Sequence, residues 1–287
     1  MTSEHVETVR FPIAGFGIMA DAMGPADAQP ILFLHGAGQT RQSWGKAVRE
    51  AARRGYRAVT LDLRGHGESG WAPDGDYAIT TFAQDIRAVI AGLGQPPVIV
   101  GASMGGLVGL LIAADQPTPA AGLILVDVAA RVETSGAQEI GTFMTSAPDG
   151  FASLDEAADA VSAYLPHRPR PKDTSGLMRN LRLRENGRYY WHWDPAFIQR
   201  QAGPVRDPQM FERAAGRLTV PTLLVRGSLS RVVSREGAQS FLEMAPHAEF
   251  VDVAGADHMV AGDANDAFNV AVFDFLGRHF TVDEALA

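Results

Sequence analysis

Three short segments of this chain carry the residue types that acyl transfer requires. In VIVGASMGGLVGLLIAA, Ser103 stands between Gly101-Ala102 and Met104-Gly105-Gly106, after an apolar strand pattern and before an apolar helical one. Small residues two positions either side permit a turn tight enough to strain the serine backbone and lift its hydroxyl clear of a sheet. The same turn leaves the Met104 N–H at a helix N-terminus, aimed at whatever the serine attacks. His35-Gly36-Ala37-Gly38 ends another strand pattern, and its glycines let the backbone turn so that the Ala37 N–H joins that of Met104 in an oxyanion hole. His35 itself is expected to hold the loop rather than catalyse. GADHMV places His258 in a loop after the final strand pattern, where an imidazole reaches the serine's proton. The other histidines fit less well. His5 is terminal, His66 lies in a glycine-rich turn, His167 in a Pro/Arg-rich connector, His247 before a strand and His279 after the last helix. His192, in an aromatic cluster, is the alternative base.

Those segments need a scaffold, and the chain supplies one. Six apolar runs, ILFLH (31–35), RAVTLDL (57–63), PVIVG (97–101), GLILVD (122–127), PTLLVRG (221–227) and EFVDVAG (249–255), alternate with helical patterns over 43–54, 80–93, 103–115, 235–244 and 265–275. Continuous apolar strands between amphipathic helices predict a mostly parallel sheet covered on both faces. The first 22 residues read as an antiparallel hairpin at its edge. From about Ala130 to Arg217 the alternation stops and no strong strand run appears. Helices are expected there over 136–144 and 154–165, followed by PHRPRPKD and the aromatic cluster RYYWHWDP. The domains are therefore a core of 1–130 and 218–287 and a helical insertion of 131–217. The insertion is expected over the C-terminal ends of the strands, where open parallel sheets bind ligands.

Composition bounds the function. A net charge of −8 with no basic cluster argues against a nucleic-acid partner. The absence of cysteine excludes disulfides, thiolate catalysis and Cys-ligated metals. MTSEHVETVRFPIAG has acidic residues and no apolar core segment, so no secretory signal is expected in it, and no run of ~18 apolar residues is present to span a bilayer. A soluble cytoplasmic protein acting on a small molecule is expected, with no membrane partner. Neither metal nor organic cofactor is implied, and the oligomeric state is open.

In their chain order these segments resemble the α/β-hydrolase fold superfamily, in particular its single-chain bacterial esterases, C–C hydrolases and cofactor-free haloperoxidases. DLRGHGESG (62–70) is similar to that family's loop after the second parallel strand, and 131–217 looks like its helical cap. A serine at the elbow disfavours branches that use a carboxylate nucleophile. The resemblance implies a serine hydrolase forming an acyl-enzyme on Ser103 from a small or medium, largely apolar ester, thioester or lactone. A C–C hydrolase, a cofactor-free haloperoxidase or perhydrolase, and a degenerate ligand-binding member are the alternatives.

One stretch departs from the family pattern. The triad acid usually follows the strand matching PTLLV, three or four residues past its glycine, yet RGSLSRVVS has Ser230 and Arg231 there. Asp127, ending GLILVD, is the best replacement, since some members place their acid after that strand. Asp252, Asp257 or no acid at all are the alternatives. Arg231 is a candidate clamp for a substrate carboxylate, with a solvated surface arginine as the alternative. Trp191, Trp193 and His192 are candidate substrate contacts that cannot all face one way in an extended segment.

Overall fold

The computed structural model describes residues 5–13, 15–131, 133–166, 170, 172–201, 207–258 and 265–280. Its main sheet has eight strands, β1 (Glu7–Ile13), β2 (Phe16–Met23), β3 (Pro30–Leu34), β4 (Arg57–Leu61), β5 (Val98–Ala102), β6 (Gly122–Val126), and, after a small hairpin described below, β9 (Thr222–Gly227) and β10 (Glu249–Val253). Their order is β1-β2-β4-β3-β5-β6-β9-β10. β1 and β2 pair antiparallel at one edge, as the sequence predicts, and all six remaining strands run parallel. This is the mostly parallel, helix-flanked sheet of the α/β-hydrolase fold.

Five of the six apolar runs form central strands because both of their faces are covered, while the sixth forms the partly buried edge strand β10. Ile31 and Phe33 of β3 join one core while Leu32 and Leu34 join the other, and Val98 and Val100 of β5 lie opposite Ile99. A side chain points to alternate faces at successive positions, so a strand buried on both sides needs every residue apolar. α1 (Gly45–Arg53) and α9 (Asn265–His279) cover one face, the latter through Phe268, Val272 and Phe275. α2 (Ile79–Ala91), α3 (Met104–Ala113) and α8 (Arg235–Met244) cover the other through Phe82, Leu107 and Phe241. Among the described residues, no helix is long and apolar enough to cross a membrane.

The strand order reverses direction around β3, which pairs with β4 on one side and β5 on the other. The chain leaving β3 and the chain leaving β5 therefore diverge and open a crevice at their C-terminal ends. The expected functional segments Gly36–Gly38 and Ser103 emerge at this point.

Between β6 and β9 lie α4 (Thr134–Thr145), α5 (Leu154–Tyr164), a 3₁₀ turn (Ser175–Asn180), α6 (Pro195–Gln201) and α7 (Pro208–Ala215). Ser153 caps α5 by accepting the Glu156 N–H at 3.1 Å, and Glu156 returns to the Ala152 N–H, which ties down the first turn. Asp207 caps α7 by accepting the Gln209 N–H at 3.0 Å, with proline at the first helical position. A two-stranded antiparallel sheet, β7 (Leu181–Leu183) with β8 (Tyr189–Trp191), also occurs here. The sequence reading does not place it. A three-residue strand is too short to show periodicity, and the turn at Glu185–Gly187 is its only local signature. His167 lies outside the described residues, as does much of the Pro/Arg connector.

Candidate active site

Ser103 sits on the turn between β5 and α3 with φ 49° and ψ −117°, a conformation that costs a non-glycine residue ~1–3 kcal/mol. Its surroundings over-determine it. The Ser103 N–H donates to Val126 O at 3.1 Å, while its carbonyl accepts the Gly106 and Leu107 amides at 3.0 and 3.1 Å. Close packing explains the flanking glycines. A Cβ on Gly101 would lie 2.5 Å from Gly105 O, and one on Gly105 would lie 2.4 Å from Leu34 O. Met104 opens α3, so its N–H has no acceptor within the helix and stands at the positive end of the helix dipole.

The loop after β3 lies against this turn, since a Cβ on Gly36 would be 3.3 Å from Ser103 Cβ. Three imidazoles hold it. His35 Nδ1 donates to Gly36 O at 2.8 Å and its Nε2 accepts the Leu63 N–H at 2.9 Å. His66 Nε2 accepts the Gly38 N–H at 3.1 Å, and its Nδ1 donates to Arg64 O at 3.0 Å. His192 Nδ1 accepts the Gly67 N–H at 2.7 Å, which leaves its Nε2–H facing Gly38 O at 3.3 Å. Because a trans peptide points its C=O and N–H in opposite directions, a donor on Gly36 O turns the Ala37 N–H away from His35. Burial lowers all three imidazoles to about 3, so they are neutral and each keeps one donor and one acceptor nitrogen. The 62–70 loop that carries His66 is anchored by buried Asp62, which accepts the Arg41 and Glu68 amides at 2.7 and 2.9 Å and pairs with the Arg41 guanidinium.

Asp127 follows β6 and has no exposed side-chain surface. His258 Nδ1 lies 2.7 Å from its Oδ2. Oδ1 accepts the Gly227 N–H at 2.9 Å, and Oδ2 also accepts the Ser230 hydroxyl at 2.5 Å. Ser230 Oγ in turn accepts the Val232 and Val233 amides, both at 3.1 Å. The position where the family pattern would put an acid is thus a hydroxyl that steers one. The other candidate acids are differently engaged. Asp252 pairs with Arg226 at 2.9 Å and Arg235 at 3.0 Å, and Asp257 Oδ1 accepts the backbone N–H of His258 at 2.7 Å. Met259 and Val260, the end of the GADHMV motif, lie outside the described residues.

Ser103 and His258 line one cavity of about 230 Å³, together with Ala37 and side chains from α4, α5 and β8. Trp191 and Trp193 both face it and stack on each other, with centroids 5.0 Å apart and planes 13° apart. Two expected substrate contacts do not. His192 alternates with the tryptophans and points the other way, into the core against the Gly38 and Gly67 backbone with 2% exposure. Arg231 lies on the surface, paired with Glu139 at 2.9 Å and outside the cavity lining, because Ser230 takes the inward position beside it. Ser230 and His66 are the functional candidates that sequence reasoning passes over. A lone serine and a turn histidine carry no spacing signal, although the family's missing acid marked position 230. Among the described residues, no group of three or more metal-ligating side chains could hold an ion.

Residues 31–271 match the alpha/beta hydrolase family model. The chain is 28% identical to esterase Rv0045c of Mycobacterium tuberculosis over 82% of this chain and 78% of that one. A solved structure of that esterase superposes with a TM-score of 0.77, covering 95% of this chain and 92% of that one at 27% identity. The sn-1-specific diacylglycerol lipase ABHD11 of Mus musculus is 27% identical over 88% of this chain and 82% of that one. The fold also superposes on E-2-(acetamidomethylene)succinate hydrolase with a TM-score of 0.83, covering 95% of this chain and all of that one at 20% identity.

Two outcomes follow from this geometry. Asp127→Asn presents an amide to His258 Nδ1 and disturbs its tautomer, so kcat for an activated ester should fall ~10³-fold or more. Asp252→Asn, which loses only a partner of Arg226 and Arg235, should stay within a few-fold in the same assay. The buried histidines set an acid limit. Their folded values lie below the unfolded ~6.5, so the unfolded chain binds more protons and stability falls as pH drops from about 6.5 towards 3. Urea unfolding between pH 6 and 5 should show His66→Gln reducing the pH slope by about one proton, ~1 kcal/mol per pH unit.

Proposed function

We propose that this chain, which belongs to the alpha/beta hydrolase family, is a serine hydrolase of small or medium, largely apolar carboxylic esters. Ser103 Oγ attacks the ester carbonyl while His258 takes its proton. Asp127, 2.7 Å from Nδ1, fixes the tautomer and stabilises the imidazolium. The Ala37 and Met104 amides receive the oxyanion, whose charge develops as the carbonyl carbon becomes tetrahedral. Collapse expels the alcohol with the proton from His258, leaving an acyl group on Ser103. Water, deprotonated by the same imidazole, then releases the acid. The observation that carries this reading is the Asp127–His258 contact beside a cavity that Ser103 also lines.

Residues 131–217 form the cap of this enzyme, on a core of 1–130 and 218–287. The cap's Ile140, Phe143, Val161, Leu177, Trp191 and Trp193 wall the cavity, and among the described residues no Lys, Arg, Asp or Glu lines it. A carboxylate placed there would lose hydration without gaining a counter-ion. The acyl group is therefore uncharged, and Arg231, exposed and paired with Glu139 outside the cavity lining, takes no part in the mechanism.

Ser103→Ala should abolish turnover of p-nitrophenyl butyrate, and the wild type should prefer that ester to the p-nitrophenyl monoester of succinate by ~10²-fold or more in kcat/KM. Full activity in Ser103→Ala would remove the mechanism. Equal rates on the two esters would remove the substrate assignment alone.

A further inference from the structure

His192 belongs to the cap segment, yet both of its ring nitrogens are spent on the core. Nδ1 accepts the Gly67 N–H, and Nε2–H faces the carbonyl of Gly38. That carbonyl shares a peptide with the Gln39 N–H, which donates to Gly36 O at 3.1 Å. Gly36 O in turn shares a peptide with the Ala37 N–H. The imidazole of His192 therefore holds one end of a two-peptide relay whose other end is the proposed oxyanion donor. The cap grips the same residue sterically. A Cβ on Gly38, which has φ +72°, would lie 3.2 Å from both Met144 Cε and Trp193 Cζ3.

We propose that His192 is a positioning residue through which the seated cap aims the Ala37 N–H, so that the oxyanion hole is complete only while the cap is docked on the Gly36–Gln39 loop. This rests on the assignment of Ser103 as nucleophile and Ala37 as oxyanion donor. Other fixings of the loop come from within the core, through His35, His66 and the Gln39 side chain, whose Oε1 accepts the Gly36 N–H at 3.1 Å. His192 instead reaches the loop from the 131–217 segment, through its hydrogen bond to Gly38 O. Substrate seated against Trp191 and Trp193 is thus linked to the hole by adjacent residues of one strand and its extension. Binding and oxyanion stabilisation share the same element.

The test separates the two nitrogens. His192→Gln retains an N–H donor at the position of Nε2, whereas His192→Asn retains only a group at the position of Nδ1. In His192→Asn, kcat for p-nitrophenyl butyrate should fall ~30-fold with KM within about threefold, because a mis-aimed donor acts on the transition state and not on bound substrate. His192→Gln should recover kcat to within about fivefold of wild type. Affinity for a trifluoromethyl alkyl ketone, which adds the serine hydroxyl and forms an oxyanion, should fall in His192→Asn by the same factor as kcat/KM. Affinity for the matched methyl ketone should not change. A purely structural role predicts equal loss for both ketones and for both variants, and that result overturns the proposal, as does unchanged kcat in His192→Asn. Amide hydrogen exchange in 36–39 gives a readout independent of turnover. It should accelerate in His192→Asn and not in His192→Gln, and equal exchange in the two overturns the relay. Loss of Ser103-dependent turnover in the wild type would instead fall on the assignment of the nucleophile.

Discussion

A carboxylate with no exposed surface is costly unless every lone pair is used, and the site of this protein is organised around one. Asp127 accepts the Gly227 amide, the Ser230 hydroxyl and His258 Nδ1. Donors from the end of β9, from the turn after it and from the loop after β10 thus converge on one group. Removing any of the three would leave part of a buried carboxylate unsatisfied, at a cost of ~1–3 kcal/mol or more. That requirement fixes where the loop after β9 passes, how the His258 ring is turned and, through β6 beside β5, how both stand relative to Ser103. Asp127 itself has φ +48°, a backbone conformation that only such a network makes worth holding in an aspartate.

Ser230 shows why the acid could move without loss of the triad's logic. Its hydroxyl accepts two backbone amides of the turn and passes a hydrogen bond to Asp127. A carboxylate at 230 would stand against Asp127, and two anions so close cannot both stay ionised. The two positions are thus alternatives: once the acid stands after β6, the residue after β9 must be a donor.

Much of this was legible in the residues. Five of the six apolar runs mark central parallel strands because burial on both faces removes polar positions, the sixth is the partly buried edge strand β10, and α8 begins and ends where its periodicity does. The elbow was legible because close backbone contacts admit only glycine at 101 and 105. The destination of His192 was not. Alternation within RYYWHWDP shows that it opposes the tryptophans, but which side faces the cavity depends on the register of β8 against β7 and Phe151, a tertiary fact. Arg231 misled for a related reason. In a turn, direction is set by which neighbour satisfies the backbone, and Ser230 takes the inward place. The three imidazoles that hold the loop after β3 carry no spacing signal either, since they come from separate parts of the chain: His35 and His66 lie 5.1 Å apart, and His192 joins them from between β6 and β9.

The central claim is that Asp127 orients His258 to activate Ser103, and covalent labelling tests it most directly. Intact-mass measurement of the rate at which a fluorophosphonate probe adds to the protein, with peptide mapping of the adduct, reads the nucleophile without requiring the natural substrate. The account predicts a single adduct on Ser103 in the wild type and labelling slowed ~10²-fold or more in Asp127→Asn. An unlabelled Ser103, or an Asp127→Asn protein that labels as fast as the wild type, would contradict it.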